Sequence, residues 1–205
     1  LNGPEKEQRI CVTGGYSSDE GVYILHVPAK QNQTEASSPV WAWSRLGPQT
    51  GHSTNFAYGA SLTPLGSGME NGCHVARAVR FGGFQSGGYS NETNQVWVLT
   101  LKDEPLKNPG ESSQLTASWE MIPTTNPQLG APRAYHTATL IAGRYLVIVG
   151  GMMWRESILG EAILDTHTWT WSTQQISTFG EEKPTGRHGH SVVLDSRRNR
   201  LVLFG

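Results

Sequence analysis

The chain has 205 residues, 37% of them hydrophobic and 16% charged, a composition that supports a packed core and excludes a disordered chain. Its formal net charge is -1, and Arg197, Arg198 and Arg200 form only a short basic patch, so nucleic acid is not an expected partner. No run approaches the ~18 consecutive apolar residues of a membrane helix, so no membrane partner is expected either.

Glycine (24) and tryptophan (7) are abundant, which points to a turn-rich β protein with bulky packing layers. In chain order, an apolar strand ends in a glycine pair at Arg9-Ile10-Cys11-Val12-Thr13-Gly14-Gly15. A second strand follows at Val22-Tyr23-Ile24-Leu25-His26-Val27, then a polar insertion over 28–39, then a tryptophan strand at Trp41-Ala42-Trp43-Ser44-Arg45-Leu46. Gly51-His52-Ser53 heads the next strand, and 66–72 reads as a loop. The cycle then restarts with Ala78-Val79-Arg80-Phe81-Gly82-Gly83, Val96-Trp97-Val98-Leu99-Thr100-Leu101, a polar insertion over 102–117, and Trp119-Glu120-Met121-Ile122. A third round has Pro132-Arg133 and Tyr135-His136-Thr137 as its heading. It continues with Tyr145-Leu146-Val147-Ile148-Val149-Gly150-Gly151, Glu161-Ala162-Ile163-Leu164-Asp165 and Trp169-Thr170-Trp171. A fourth begins at Arg187-His188-Gly189-His190-Ser191 and reaches Arg200-Leu201-Val202-Leu203-Phe204-Gly205. The first glycines of these marks, at 14, 82, 150 and 205, are 68, 68 and 55 residues apart. The glycine-terminated runs read as strands covered on both faces, because they are continuously apolar. No segment carries sustained helical periodicity.

This order resembles the kelch family: an Arg-x-Gly-His-Ser strand, a Gly-Gly strand, a strand of the Asn94-Gln95-Val96-Trp97 type, then a tryptophan strand. The resemblance covers nearly the whole chain. It implies an all-β fold, a kelch-type β-propeller with four-stranded antiparallel blades and an incomplete ring. Residues 1–50 are expected to hold strands two to four of a first blade, 51–126 a second blade, 127–180 a third, and 181–205 two strands of a fourth. Remaining blades of the same ring are then expected partners, since a ring needs about four or more.

Kelch topology sorts the loops onto two faces. The insertions 28–39 and 102–117 and the loop 66–72 share one face, which reads as solvated. The other face carries Tyr16, Phe84, Tyr89, Met152, Met153, Trp154 and Arg155, with Arg133, Tyr135, Arg187 and His188 at the blade entrances. Aromatics, Met and Arg are the enriched interface types, so these residues are the expected contacts for a protein or peptide. Trp154 reads either as a blade cap or as an anchor. Arg133 and Arg187 read either as clamps for an acidic ligand or, preferentially, as braces on loop carbonyls. His52, His136 and His190 recur in phase and read as structural. His188 and His190 sit two apart on a strand, but no third ligand accompanies them, so no metal is expected. Cys11 and Cys73 read as free buried thiols. Asn32 and Asn91 head glycosylation tripeptides. Some proteins that resemble this repeat hold iron through a Glu-xxx-Asp-xxx-Cys/His pattern; Glu161 and Asp165 match its first positions, but Trp169 cannot ligate. The expected function is non-catalytic partner recognition without a cofactor, and the kelch resemblance implies a cytoplasmic or nuclear protein such as an F-box or BTB ubiquitin-ligase adaptor. A structural subunit of a large assembly and a propeller regulating an attached enzyme such as a phosphatase are the alternatives.

Overall fold

A computed structural model of the chain describes residues 8–14, 21–27, 41–46, 58–85, 91–104, 114–174 and 184–205. The fold is all-β: among the described residues the only helical turn is the three-residue 3-10 segment Pro127–Leu129. The strands are β1 (Gln8–Thr13), β2 (Val22–Val27), β3 (Ala42–Arg45), β4 (Ser61–Glu70), β5 (Cys73–Phe81), β6 (Val96–Glu104), β7 (Gln114–Ile122), β8 (Thr137–Ile141), β9 (Tyr145–Val149), β10 (Met152–Met153), β11 (Glu156–Ser157), β12 (Glu161–Asp165), β13 (Thr170–Ser172), β14 (Ser191–Asp195) and β15 (Arg200–Phe204). They form antiparallel sheets in the orders β1-β2-β3, β4-β5-β6-β7, β8-β9-β12-β13 and β14-β15, with β10-β11 as a separate small hairpin.

Turn chemistry sets these pairings. Asn71 (φ 49) and Gly72 (φ 79) occupy the two left-handed positions between β4 and β5, and Ala142 (φ 52) and Gly143 (φ 63) do the same between β8 and β9. Two consecutive positive φ values give the turn whose twist matches a hairpin. The segment 66–72, expected to be a loop, is therefore mostly strand, and only Asn71-Gly72 turns. The same hairpin corrects the expected strand heading. Ser61 pairs with Phe81, so Gly59-Ala60-Ser61 begins the sheet rather than Gly51-His52-Ser53, which lies outside the described residues.

Each sheet packs one face on the opposite face of the next. Val79, Phe81 and Val96 of the second sheet meet Leu146, Ile148, Ala162, Leu164 and Trp171 of the third. The rings of Phe81 and Trp171 lie 4.8 Å apart. One junction earlier, Val22 and Ile24 of β2 meet Leu99, Ala117 and Trp119. There Arg80 is buried with its guanidinium over the rings of Trp97 and Trp119, at 5.5 and 5.0 Å, and desolvation lowers its pKa to about 10. The first strands of successive sheets also touch: Thr63 donates to Ala138 O at 3.3 Å, and His136 Nε2 lies 2.9 Å from Ser61 Oγ.

Other expectations change. β9 and β15 are not covered on both faces along their length, since Tyr145, Val202 and Phe204 are exposed. Trp119 and Trp171 are packed between sheets as expected, whereas Trp41 and Trp43 are exposed. The cysteines are free but only half-buried, and burial raises the Cys11 thiol to about 11.

Candidate functional site

The chain folds one end of its sheets into a connected rim. The rim grows from a backbone position that recurs: Gly59 (φ 70), Tyr135 (φ 54) and Gly189 (φ 66) all adopt the left-handed region two residues before a first strand. These three are stitched together, since Tyr135 N–H donates to Gly59 O at 2.7 Å and Gly189 N–H donates to Tyr135 O at 2.9 Å. Two of the three are glycine, for which this conformation is free. Tyr135 holds it at a cost of about 1–2 kcal/mol.

Below that line lie two arginine braces that have two bonds in common. Arg133 is buried and donates from Nη1 to Gly150 O (3.1 Å) and Gly160 O (2.7 Å), and from Nε to Ala131 O (3.2 Å). Arg187 donates to Gly205 O (2.9 Å) and Thr185 O (3.2 Å). The carbonyls of the same arginines accept from Gly83 N–H (2.8 Å) and Gly151 N–H (2.9 Å). A Cβ on Gly82 would sit 2.4 Å from Arg133 O, and one on Gly150 would sit 2.7 Å from Arg187 O, so the first glycine of each pair is fixed by this close approach. Both arginines are thus engaged with backbone carbonyls, and Arg133 offers no surface to a ligand. Its pKa is lowered, by desolvation first and with a partial offset from the Glu161 charge. Desolvation, with Arg133 and His190 nearby, lowers the pKa of His136 to about 3, so its imidazole is neutral. His190 is lowered too, by desolvation and by Arg187 and His188; its Nε2 lies 3.1 Å from Thr137 Oγ1.

Above the braces runs an aromatic line. Tyr58 stacks on Phe84 at 4.8 Å, Tyr135 meets Phe84 edge-on at 5.7 Å, and His188 lies 6.2 Å from Tyr135. Phe84 is completely buried beneath its neighbours, so the expectation that it contacts a partner gives way to a supporting role. Tyr135 keeps about a third of its surface. His188 is exposed, and its Nδ1 lies 2.8 Å from Ser157 Oγ. Beside this line stands the β10-β11 hairpin. Its base is tied to the rim by the mutual bonds of Ala134 and Met152, at 3.0 and 2.7 Å, and Met153 is half-buried in it. Its tip is Trp154 (φ 54) and Arg155 (φ 66); Trp154 is 71% exposed, and its backbone N–H donates to Glu92 Oε1 at 3.1 Å.

The structure therefore brings Met153, Trp154, Arg155, Tyr135 and His188 to one rim, with Arg187 and Arg133 beneath it. Tyr16 and Tyr89 lie outside the described residues. Tyr58 and Glu92 belong to the rim and were missed in the sequence. Among the described residues, no group of three or more His, Cys, Asp or Glu is placed to hold a metal ion. No helix among them is long and apolar enough to cross a membrane. No family model matches the chain, and no curated protein matches it.

Proposed function

We propose that the chain is part of a kelch-type β-propeller and that it binds a protein or peptide segment on the rim around Trp154. The propeller reading rests on the in-phase repetition of one junction: arginine on loop carbonyls, histidine on the preceding strand's hydroxyl, and glycine pressed against the arginine's carbonyl. The binding reading rests on one observation, the Trp154-Arg155 turn. Two consecutive left-handed residues ordinarily call for Asn-Gly or a similar pair. Here the positions hold a tryptophan and an arginine, each at a cost of about 1–2 kcal/mol, on a hairpin tied down by Glu92 and Ala134. A cost carried in the fold to display an exposed indole on a fixed support fits an interface anchor, because a preorganised side chain loses little entropy on binding. By fold analogy the module serves the recognition arm of a larger protein, such as a ubiquitin-ligase adaptor.

The test is to pan a displayed random-peptide library against the chain and measure the selected binders on variants. Trp154→Ala and Arg155→Ala are expected to weaken binding by about 30-fold or more, the effect of losing a hot-spot residue, with the melting temperature unchanged. Deletion of 106–112 is expected to leave binding intact. Binders that tolerate both substitutions and are lost on the deletion overturn this choice of face.

A further inference from the structure

The second sheet ends in a strand unlike the outer strands of its neighbours. β7 runs for 9 residues and pairs with β6 along its whole length without a bulge, whereas β3 has 4 residues and β13 has 3. It forms the margin of a four-stranded sheet, in the order β4-β5-β6-β7. The direction of its backbone groups follows from the ladder. Gly82 N–H donates to Gln95 O, and the β5-β6 register continues from that bonded pair without a shift, so every second pair down to Ala76–Leu101 is bonded too. The alternate residues of β6, from Val96 to Lys102, therefore turn their backbone groups to β7 and meet Ile122, Glu120, Ser118 and Thr116. The Thr116 hydroxyl donates to Lys102 O on that side, at 3.3 Å. The backbone N–H and C=O groups of the residues between, including Leu115, Ala117 and Met121, point away from the sheet, and no described strand pairs with these three on that side.

Outer strands are ordinarily short, bulged, or guarded by lysine or proline, because a long regular margin templates another strand. β7 has none of these devices. Its two faces differ. Ala117 and Trp119 are buried toward the first sheet, with Met121 52% exposed on the same face. The other face carries Thr116, Ser118 and Glu120. Glu120 is the one charged residue of β7; it is exposed, and no described cation pairs with it.

We propose that β7 accepts an added strand, an extended segment of a partner protein whose backbone pairs with Leu115, Ala117 and Met121. The two-residue period of a strand fixes the segment's pattern: apolar side chains on the Met121 face alternate with polar ones, and a lysine or arginine stands beside Glu120. Charge complementarity selects such a partner over a second β7, which would bring only another glutamate. This surface is separate from the Trp154 rim and stands whether or not the rim binds.

The experiment is fluorescence anisotropy of the 205-residue chain with a capped, labelled nine-residue peptide in which valine alternates with lysine and threonine. A scramble of the same composition is the control. Saturable binding of the alternating peptide is expected, with the scramble at least about tenfold weaker. N-methylation of the valine amides and N-methylation of the intervening amides are expected to differ: one set faces β7 and loses about tenfold or more, and the other faces solvent and stays within about twofold. Ala117→Pro and Met121→Pro remove outward N–H groups without touching the β6 ladder, and are expected to abolish binding while far-UV circular dichroism stays unchanged. Glu120→Lys, at an exposed position, is expected to weaken the lysine peptide about fivefold and to favour a glutamate-for-lysine version. An alternating peptide that fails to bind overturns the proposal. So do equal losses from the two methylated sets, folded proline variants that bind as the parent does, and indifference to Glu120→Lys. Sedimentation velocity supplies the remaining check: self-association of the parent that Ala117→Pro abolishes would give the margin to a second copy and overturn the proposal as well.

Discussion

Two junctions of this molecule share most of their hydrogen bonds and differ in what surrounds them. Between the second and third sheets, Arg133 and His136 sit under a closed layer with Phe81 against Trp171. Between the third sheet and β14-β15, Arg187 and His190 repeat all of these bonds but the one to Gly160, and the sheets flank an open cleft of about 240 Å³ lined by Val149, Ile163 and Leu203. The motif fixes the bonds; the surrounding apolar layer sets how much each bond contributes. A carbonyl deprived of its donor is costly where water cannot replace it and inexpensive where water can.

The largest expected effect that sharpens this contrast comes from tryptophan. Trp171→Ala is expected to destabilise by about 3–5 kcal/mol in denaturant melts, because it empties a buried site. Trp43→Ala, at the equivalent but exposed position, is expected to cost well under half of that. Equal losses would break the comparison.

Acid comes next. In the fold His136 titrates at about 3 against an ordinary value of 6.5, so its neutral form is the one the structure accommodates. Stability from this group is fully present above pH 6.5. It is lost as pH falls from there toward 3, because the unfolded chain takes up the proton first, at about 1.4 kcal/mol per pH unit within that window. Urea midpoints of the parent and of His136→Asn, measured from pH 7.5 to 4, are expected to converge as pH falls. Parallel curves would show that the imidazole is not the group responsible.

Arginine tests the contrast at smaller scale. Arg133→Ala leaves the buried Gly150 carbonyl and the more exposed Gly160 carbonyl without that donor, and is expected to cost about 2 kcal/mol. Arg187→Ala is expected to cost about 1 kcal/mol or less. The smallest effect is at the rim. Tyr135→Gly relieves a left-handed backbone and loses ring contacts with Phe84 and His188, and is expected to shift stability by no more than about 1 kcal/mol in either direction.

The strand content and its phasing were legible because the glycine pairs and tryptophans that mark them are packing requirements: Gly82 and Gly150 meet a carbonyl, and Trp119 and Trp171 fill the layers. The heading of the second sheet was not. Gly51-His52-Ser53 matched the pattern by residue type, while Gly59-Ala60-Ser61 lacks the histidine. The signal was Asn71-Gly72, the hairpin dipeptide that, with one bulge between Pro64 and Gly66, sets Ser61 opposite Phe81. Of the candidate site, the loop membership of Trp154 and Arg155 could be read from the repeat. The burial of Phe84 could not, because it depends on Tyr58, whose position follows from that missed hairpin. The support from Glu92 is a contact over 62 residues with no local signature. The exposure of Trp43 likewise depends on what packs beside a sheet, which no strand sequence records.

The central claim is that successive sheets are held by one repeated junction of opposed apolar faces, and the most direct measurement is a double-mutant cycle between Phe81 and Trp171. Phe81→Leu, Trp171→Leu and the double variant are compared with the parent in denaturant melts. Rings 4.8 Å apart across a closed junction predict an interaction energy of about 0.5–1.5 kcal/mol. Strict additivity of the two substitutions would contradict the packing of the second sheet on the third.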